Sequence, residues 1–120
     1  MKELIENIRN DFRVNSFRSG LILFFYRNLN YLHYRVNKLI GRVILKVLNI
    51  LWEILKMLLN INCQISYKAR IGFNIRLPHI GEGVIISSKA EIGNNVTIYH
   101  QVTIGVNEFL ADDKQKNCYR

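Results

Sequence analysis

Aliphatic residues recur every six positions across residues 65–109: Ile65, Ile71 and Leu77, then, after three extra residues, Ile86, Ile92, Ile98 and Ile104. Four positions after most of them comes a second apolar residue, namely Ala69, Ile75, Ala90, Val96 and Val102. Gly72, Gly93 and Gly105 directly follow three of the aliphatics. A six-residue period fits neither an amphipathic helix at 3.6 nor a single long strand at 2.0, and is the signature of a β-helix built from hexapeptide repeats. Each hexad supplies a short strand and a turn, and stacked coils bury the aliphatic column. The period predicts architecture and leaves the chemistry open.

The chain has 120 residues, 49% of them hydrophobic and one of them proline, which suits one domain plus an accessory segment. The net charge of +8 is uneven: residues 1–60 carry ten Lys and Arg against four acids, residues 61–120 seven against five. Cys63 and Cys118 are too few for a disulfide framework and lack metal-site spacing, so a reducing cytoplasm is the default. The first twenty residues hold no apolar run followed by a cleavage motif, so no signal peptide is expected.

Leu4, Ile5, Ile8 and Phe12 fall at helical spacing in residues 3–14, with acids early and arginines late as the helix dipole prefers. After an interruption at Asn15 and Ser16 or at Ser19 and Gly20, GLILFFYRNLNYLHYR reads as a second helix whose Phe24, Phe25, Tyr26, Tyr31 and Tyr34 are bulky enough to bind two elements together. His33, among these aromatics and without a nearby carboxylate, reads as a packing or surface histidine.

Residues 38–60 are the most apolar stretch, yet Arg42, Lys46, Asn49, Glu53, Lys56 and Asn60 interrupt it at steps of four and three, on one narrow stripe. This predicts an amphipathic helix rather than a membrane span. Its wide apolar face must be covered by the second helix, by equivalent helices of other subunits, or by a membrane whose anionic lipids favour the basic stripe. The location expected is therefore cytoplasmic, with a peripheral position at the inner membrane face as one option. Nucleic acid is not an expected partner, because no basic cluster is interleaved with exposed aromatics.

At Asn60 the composition turns from Leu-rich to Ile/Val/Gly/Asn-rich, which divides a helical cap, 1–60, from the repeat region, 61–120. The three-residue excess between Leu77 and Ile86 predicts a bulge on the surface of the coil, and insertions in repeat proteins often map to a binding face. The bulge holds His79. His79 and His100 each lie two residues after equivalent aliphatics, Leu77 and Ile98, so stacked strands about 4.8 Å apart would bring both imidazoles to one outward corner. They are either two surface histidines or one shared site. No metal is expected there, since two ligands without a third are not a specific zinc pattern.

The segment IGFNIRLPHIGEGVIISSKAEIGNNVTIYHQVTIG resembles the start of the left-handed β-helix in serine acetyltransferases and in related O-acetyltransferases of surface-polysaccharide synthesis. Residues 61–105 carry the resemblance, and the helical cap matches only in general pattern and in pieces such as FFYRNLNYL. The fold class implied is α+β, an N-terminal helical cap followed by a left-handed parallel β-helix. The resemblance implies acetyl-CoA as co-substrate, a homotrimer with active sites between neighbouring subunits, and His79 as the general base that takes the proton from an acceptor hydroxyl. An imidazole suits that role, being largely neutral at pH 7 yet basic enough to accept the proton.

Two departures from the serine enzymes bear on the acceptor. Gln64 stands where a carboxylate would orient the catalytic histidine, and Pro78 where another would hold the substrate ammonium. Gln64 can accept a hydrogen bond but brings no charge, and Pro78 cannot bind an ammonium. A neutral sugar hydroxyl suits such a site better than free serine, with His100 and Arg76 as candidate acceptor-binding residues. Serine O-acetylation is the nearest alternative. After Ile104 the pattern dissolves into GVNEFLADDKQKNCYR, so the coil is expected to stop after about two turns, as a truncated product or a fragment. A non-catalytic remnant that only assembles with helices or membrane is the competing expectation from another class.

Overall fold

The computed structural model describes residues 1–36, 38–106 and 117–119. Three helices come first, α1 (Lys2–Val14), α2 (Phe17–Arg35) and α3 (Leu39–Leu59). Ser16 caps α2 by accepting from the Ser19 amide. Asn60, in the left-handed conformation, ends α3: its amide donates to Met57 O and the following Ile61 amide to Lys56 O. Among the described residues six short strands follow: β1 (Gln64–Ile65), β2 (Arg70–Ile71), β3 (Ile85–Ile86), β4 (Glu91–Ile92), β5 (Thr103–Val106) and β6 (Asn117–Tyr119). Among the described residues no helix is long and apolar enough to cross a membrane.

The expected left-handed β-helix is not formed. The strands fall into two small sheets, one in the order β1-β3-β5-β6 and one pairing β2 with β4, and neither closes or winds into a solenoid. The fold is three helices with a few short, mostly parallel strands. Six-residue spacing does settle which side chains turn inward: Leu77, Ile86, Ile92, Ile98 and Ile104 are buried, with Ala69, Ile75 and Ala90 beside them and Ile65 and Ile71 half-buried. It does not supply a continuous ladder. Most of the strands are two residues long, the third corner holds only the isolated bridge Arg76–Thr97, and the outer edge of β5 is taken by antiparallel β6 instead of a further parallel turn. That last pairing also covers the edge where the coil was expected to stop after Ile104. The segment from Gly105 onward, where the repeat pattern dissolves, is not all irregular: Gly105 and Val106 finish β5 and Asn117–Tyr119 form β6, while residues 107–116 lie outside the described residues.

The helices share an apolar core with the strand region, through Ile22, Leu23, Leu29 and Trp52, and polar contacts fix the seam. The first turn of strands directs its carbonyls at α1 and α2, and side chains meet them one after another. Ser19 Oγ donates to Leu77 O at 2.7 Å, Tyr26 OH to Ala69 O at 2.6 Å, and Asn30 Nδ2 to Tyr67 O and Ala69 O. Arg27 donates to Ile71 O and Gly72 O. Asn15, in the α1–α2 turn, donates to Ile75 O and accepts from the Leu77 amide. Arg27 is itself fixed by Asp11 of α1 at 3.0 Å, with side-chain exposures of 5% and 0%. Burial pushes the Asp11 carboxyl above the ordinary carboxylate range, and the hydrogen bond and charge of Arg27 oppose that shift.

Removing one partner of such a pair leaves an uncompensated buried charge. Asp11→Ala is expected to cost about 3–5 kcal/mol of folding stability, read as a lower urea midpoint with an unchanged slope. A loss under about 1 kcal/mol, the range of an exposed pair, would show that Arg27 holds the strand edge unaided.

Candidate functional site

The two strand steps differ in length: Gln64 lies opposite Ile85, 21 residues on, whereas Ile85 lies opposite Thr103, 18 residues on. The longer step takes up the three extra residues in a tight turn, Pro78–Gly81. Pro78 starts it, and His79, Ile80 and Gly81 then follow with φ of 56°, 62° and 60°. Three successive left-handed residues, two of them not glycine, are uncommon, and each non-glycine one costs on the order of 1 kcal/mol. The turn is held by hydrogen bonds from Glu82 N to His79 O, Val84 N to Gly81 O, Gly83 N to Asn62 O and Gln101 N to Glu82 O. At Gly83, with φ of 70°, an added Cβ would meet Gln101 Cγ at 2.9 Å, so the close approach of the two turns depends on glycine there.

This turn brings His79 and His100 together. The Arg76–Thr97 bridge and the bond from Ile98 N to Arg76 O set the two segments in register. Three residues past the bridge, the imidazoles meet edge to face, with ring centroids 4.8 Å apart and planes at 78°. Both side chains are exposed. Among the described residues no hydrogen bond orients either ring, and no third His, Cys, Asp or Glu joins them in a group that could hold a metal ion.

The other sequence-suggested residues are placed apart from the pair. Gln64 lines two clefts along α3, of about 310 and 460 Å³, which neither histidine lines, and it makes no hydrogen bond to His79. The side chain of Arg76 is exposed, and its backbone serves the bridge just before the turn. His33 is exposed and makes ring-edge contacts with Tyr34 and Tyr67. The larger structural role falls to residues that sequence reasoning treated as plain packing: Tyr26 and Tyr34 use their hydroxyls on the carbonyls of Ala69 and Lys68. A helix whose aromatic positions are tyrosine rather than phenylalanine is the available signal, since a buried hydroxyl requires a partner.

The smaller of the two α3 clefts is lined by Trp52, Glu53, Lys56, Cys63, Gln64 and Tyr67, among others. Cys63 is buried and free, and burial pushes its thiol up to about 12, with Lys56 opposing. Comparison with known proteins finds no family model, no curated protein and no solved structure that matches the chain.

A thiol raised to about 12 carries little thiolate at pH 8. Iodoacetamide should therefore alkylate Cys63 at least on the order of a hundredfold more slowly in the folded protein than in the urea-unfolded chain, measured by mass spectrometry in a Cys118→Ser background. Equal rates would mean that the thiol is open to solvent.

Proposed function

We propose that the protein is an acetyl-CoA-dependent O-acetyltransferase that acts in the cytoplasm on a hydroxyl of a surface-polysaccharide sugar. The observation that carries this reading is the His79–His100 pair: two imidazoles 4.8 Å apart, presented to solvent on a left-handed turn. Backbone held in sparsely populated conformations clusters at sites of function. The resemblance of residues 61–105 to the acetyltransferases supplies the reaction. It no longer rests on a shared solenoid.

In this reading His79 accepts the proton of the acceptor hydroxyl as that oxygen attacks the thioester carbonyl. A C–O bond forms, the tetrahedral centre collapses, and the C–S bond breaks with the electron pair leaving on sulfur. The imidazolium then returns its proton to the departing thiolate, so acids and bases balance over the cycle. His100, one turn away, contacts the acceptor. An exposed pair needs a second wall to exclude water from the developing charge. A neighbouring subunit of a homotrimer would provide it. Gln64 and Pro78 place no anion for a substrate ammonium, which favours a neutral polyol over free serine.

His79→Ala is expected to lower turnover by at least about a hundredfold and leave acetyl-CoA affinity nearly intact, because the imidazole acts on the acceptor proton. His100→Ala should cost less and show mainly in acceptor KM. Acetyl transfer followed by thiol release, with free serine compared against hydroxyl-bearing saccharides, reads both. Full activity in His79→Ala would sink the mechanism, and efficient acetylation of serine would sink the polysaccharide assignment.

A further inference from the structure

The outer face of α3 is apolar along its whole length. Gly41, Leu45, Leu48, Trp52, Leu55 and Leu59 turn toward the core, with Trp52 stacked on Phe25 at 4.4 Å. Opposite them Leu39, Ile40, Val43, Ile44, Val47, Ile50, Leu51, Ile54, Met57 and Leu58 are all exposed. Leu39 at one end and Leu58 at the other are each 77% exposed, so the face does not dip under the fold at either end. At 100° and 1.5 Å per residue these side chains cover an arc of about 140° and a length of about 30 Å. Isolated apolar residues on a surface need no explanation, but a continuous face of ten does.

Charge borders that face on one side only. Lys38, Arg42 and Lys46 are exposed, and between residues 36 and 52 the sequence contains no acid. Lys56, on the same stripe by spacing, is withdrawn: it pairs with Glu53 at 2.8 Å, lies 5.8 Å from the Trp52 ring and is 12% exposed. The cations left facing solvent thus sit together along the first half of the helix, at the edge of the apolar arc.

We infer that α3 docks flat on an anionic lipid bilayer, with its outer aliphatics among the acyl chains and Lys38, Arg42 and Lys46 at the headgroups. A helix with a wide apolar face and cations along its border has the form of an interfacial helix. A second copy fits less well. Pairing two helices buries a narrow seam of positions spaced by threes and fours, and it would leave the flanking Leu39, Val43, Ile50 and Met57 in water. It would also set like-charged surfaces against each other in a protein of net charge +8. A bilayer covers all ten residues at once and attracts the cations. The inference goes beyond the acetyl-transfer reading and does not depend on it.

The test is co-sedimentation of the purified protein with vesicles of phosphatidylcholine and phosphatidylglycerol in equal parts, with vesicles of phosphatidylcholine alone as the comparison. Binding should favour the anionic vesicles and weaken at least about tenfold between low and high salt. Replacing Lys38, Arg42 and Lys46 with glutamine should lower partitioning on the order of a hundredfold, roughly fivefold per cation. Ile44→Gln with Leu51→Gln should abolish binding to both kinds of vesicle. Circular dichroism would show the fold retained, since none of the five side chains is buried. His79→Ala should bind as the unaltered protein does. The proposal is overturned if the unaltered protein stays in the supernatant with anionic vesicles, or if neither variant changes partitioning. It is equally overturned if sedimentation velocity without lipid shows a stable oligomer that the Ile44/Leu51 variant dissociates, because the face would then be an interface between copies.

Discussion

The structure depends on a row of carbonyl groups that no strand satisfies. In a parallel pair alternate residues direct both amide and carbonyl to the same neighbour, as Arg76 does in donating to Val96 O and accepting from Ile98 N. The residues between, Ile71, Ile75 and Leu77, turn their carbonyls to the other side, where α1 and α2 lie instead of a strand. Buried carbonyls without partners cost a large part of a marginal stability. Here α1 and α2 donate to them through Asn15, Ser19, Tyr26, Arg27 and Asn30. Arg27 is the centre of this row, because a guanidinium can serve two carbonyls and a carboxylate in one plane. The helices act as the partner strand that the first turn lacks.

With its first turn anchored, the second stacks in a fixed register, and that register decides where chemistry can sit. Asn74 and Asn95 show the same effect without any function implied: 21 residues apart, both at positive φ, they join side chain to side chain at 2.8 Å, and Asn10 of α1 extends the line. Gly72 lies so close to the following turn that an added Cβ would meet Asn94 Oδ1 at 2.3 Å and the Gly93 carbonyl at 2.7 Å. Against that tight corner the Pro78–Gly83 turn is the place where the chain is longer than the repeat requires. Excess length at one corner, held by four backbone bonds, is how a side chain can be presented outward without loosening the stack.

Much of this was legible from residue spacing alone. Period six identified the inward column, and counting two residues past Leu77 and Ile98 placed His79 beside His100. Helices at 3–14 and 38–60 follow from the 3.6 periodicity of those segments, and the aromatic-rich segment 20–35 reads as a helix between them. The sheet architecture was not legible, because spacing records which way a side chain points and not how many ladder bonds each strand makes. Two-residue strands and an antiparallel β6 give the same inward pattern that a solenoid would. Nor was the relation of Gln64 to His79 legible. An expected orienting residue requires a distance in space, and Gln64 turns toward α3, leaving the imidazole without the fixed partner that would set its tautomer.

The polar stripe of α3 shows the same limit in a single helix. Arg42, Lys46, Asn49, Glu53, Lys56 and Asn60 share one line by spacing, yet they serve three ends. Asn60 adopts φ 55° and closes the helix. Glu53 and Lys56 turn to the cleft over Cys63, where Lys56 Nζ also approaches Cys63 O at 3.5 Å. Of the three cations on the stripe, Arg42 and Lys46 are the exposed ones, and Glu53 stays exposed at its end of the ion pair. A long lysine stem can lie along apolar surface while its head seeks an anion, and at Lys56 the nearest anion and the nearest aromatic ring both belong to the same helix. Helical spacing therefore fixes the side of the helix from which a cation leaves, and only the neighbouring elements decide whether it ends against protein or faces outward.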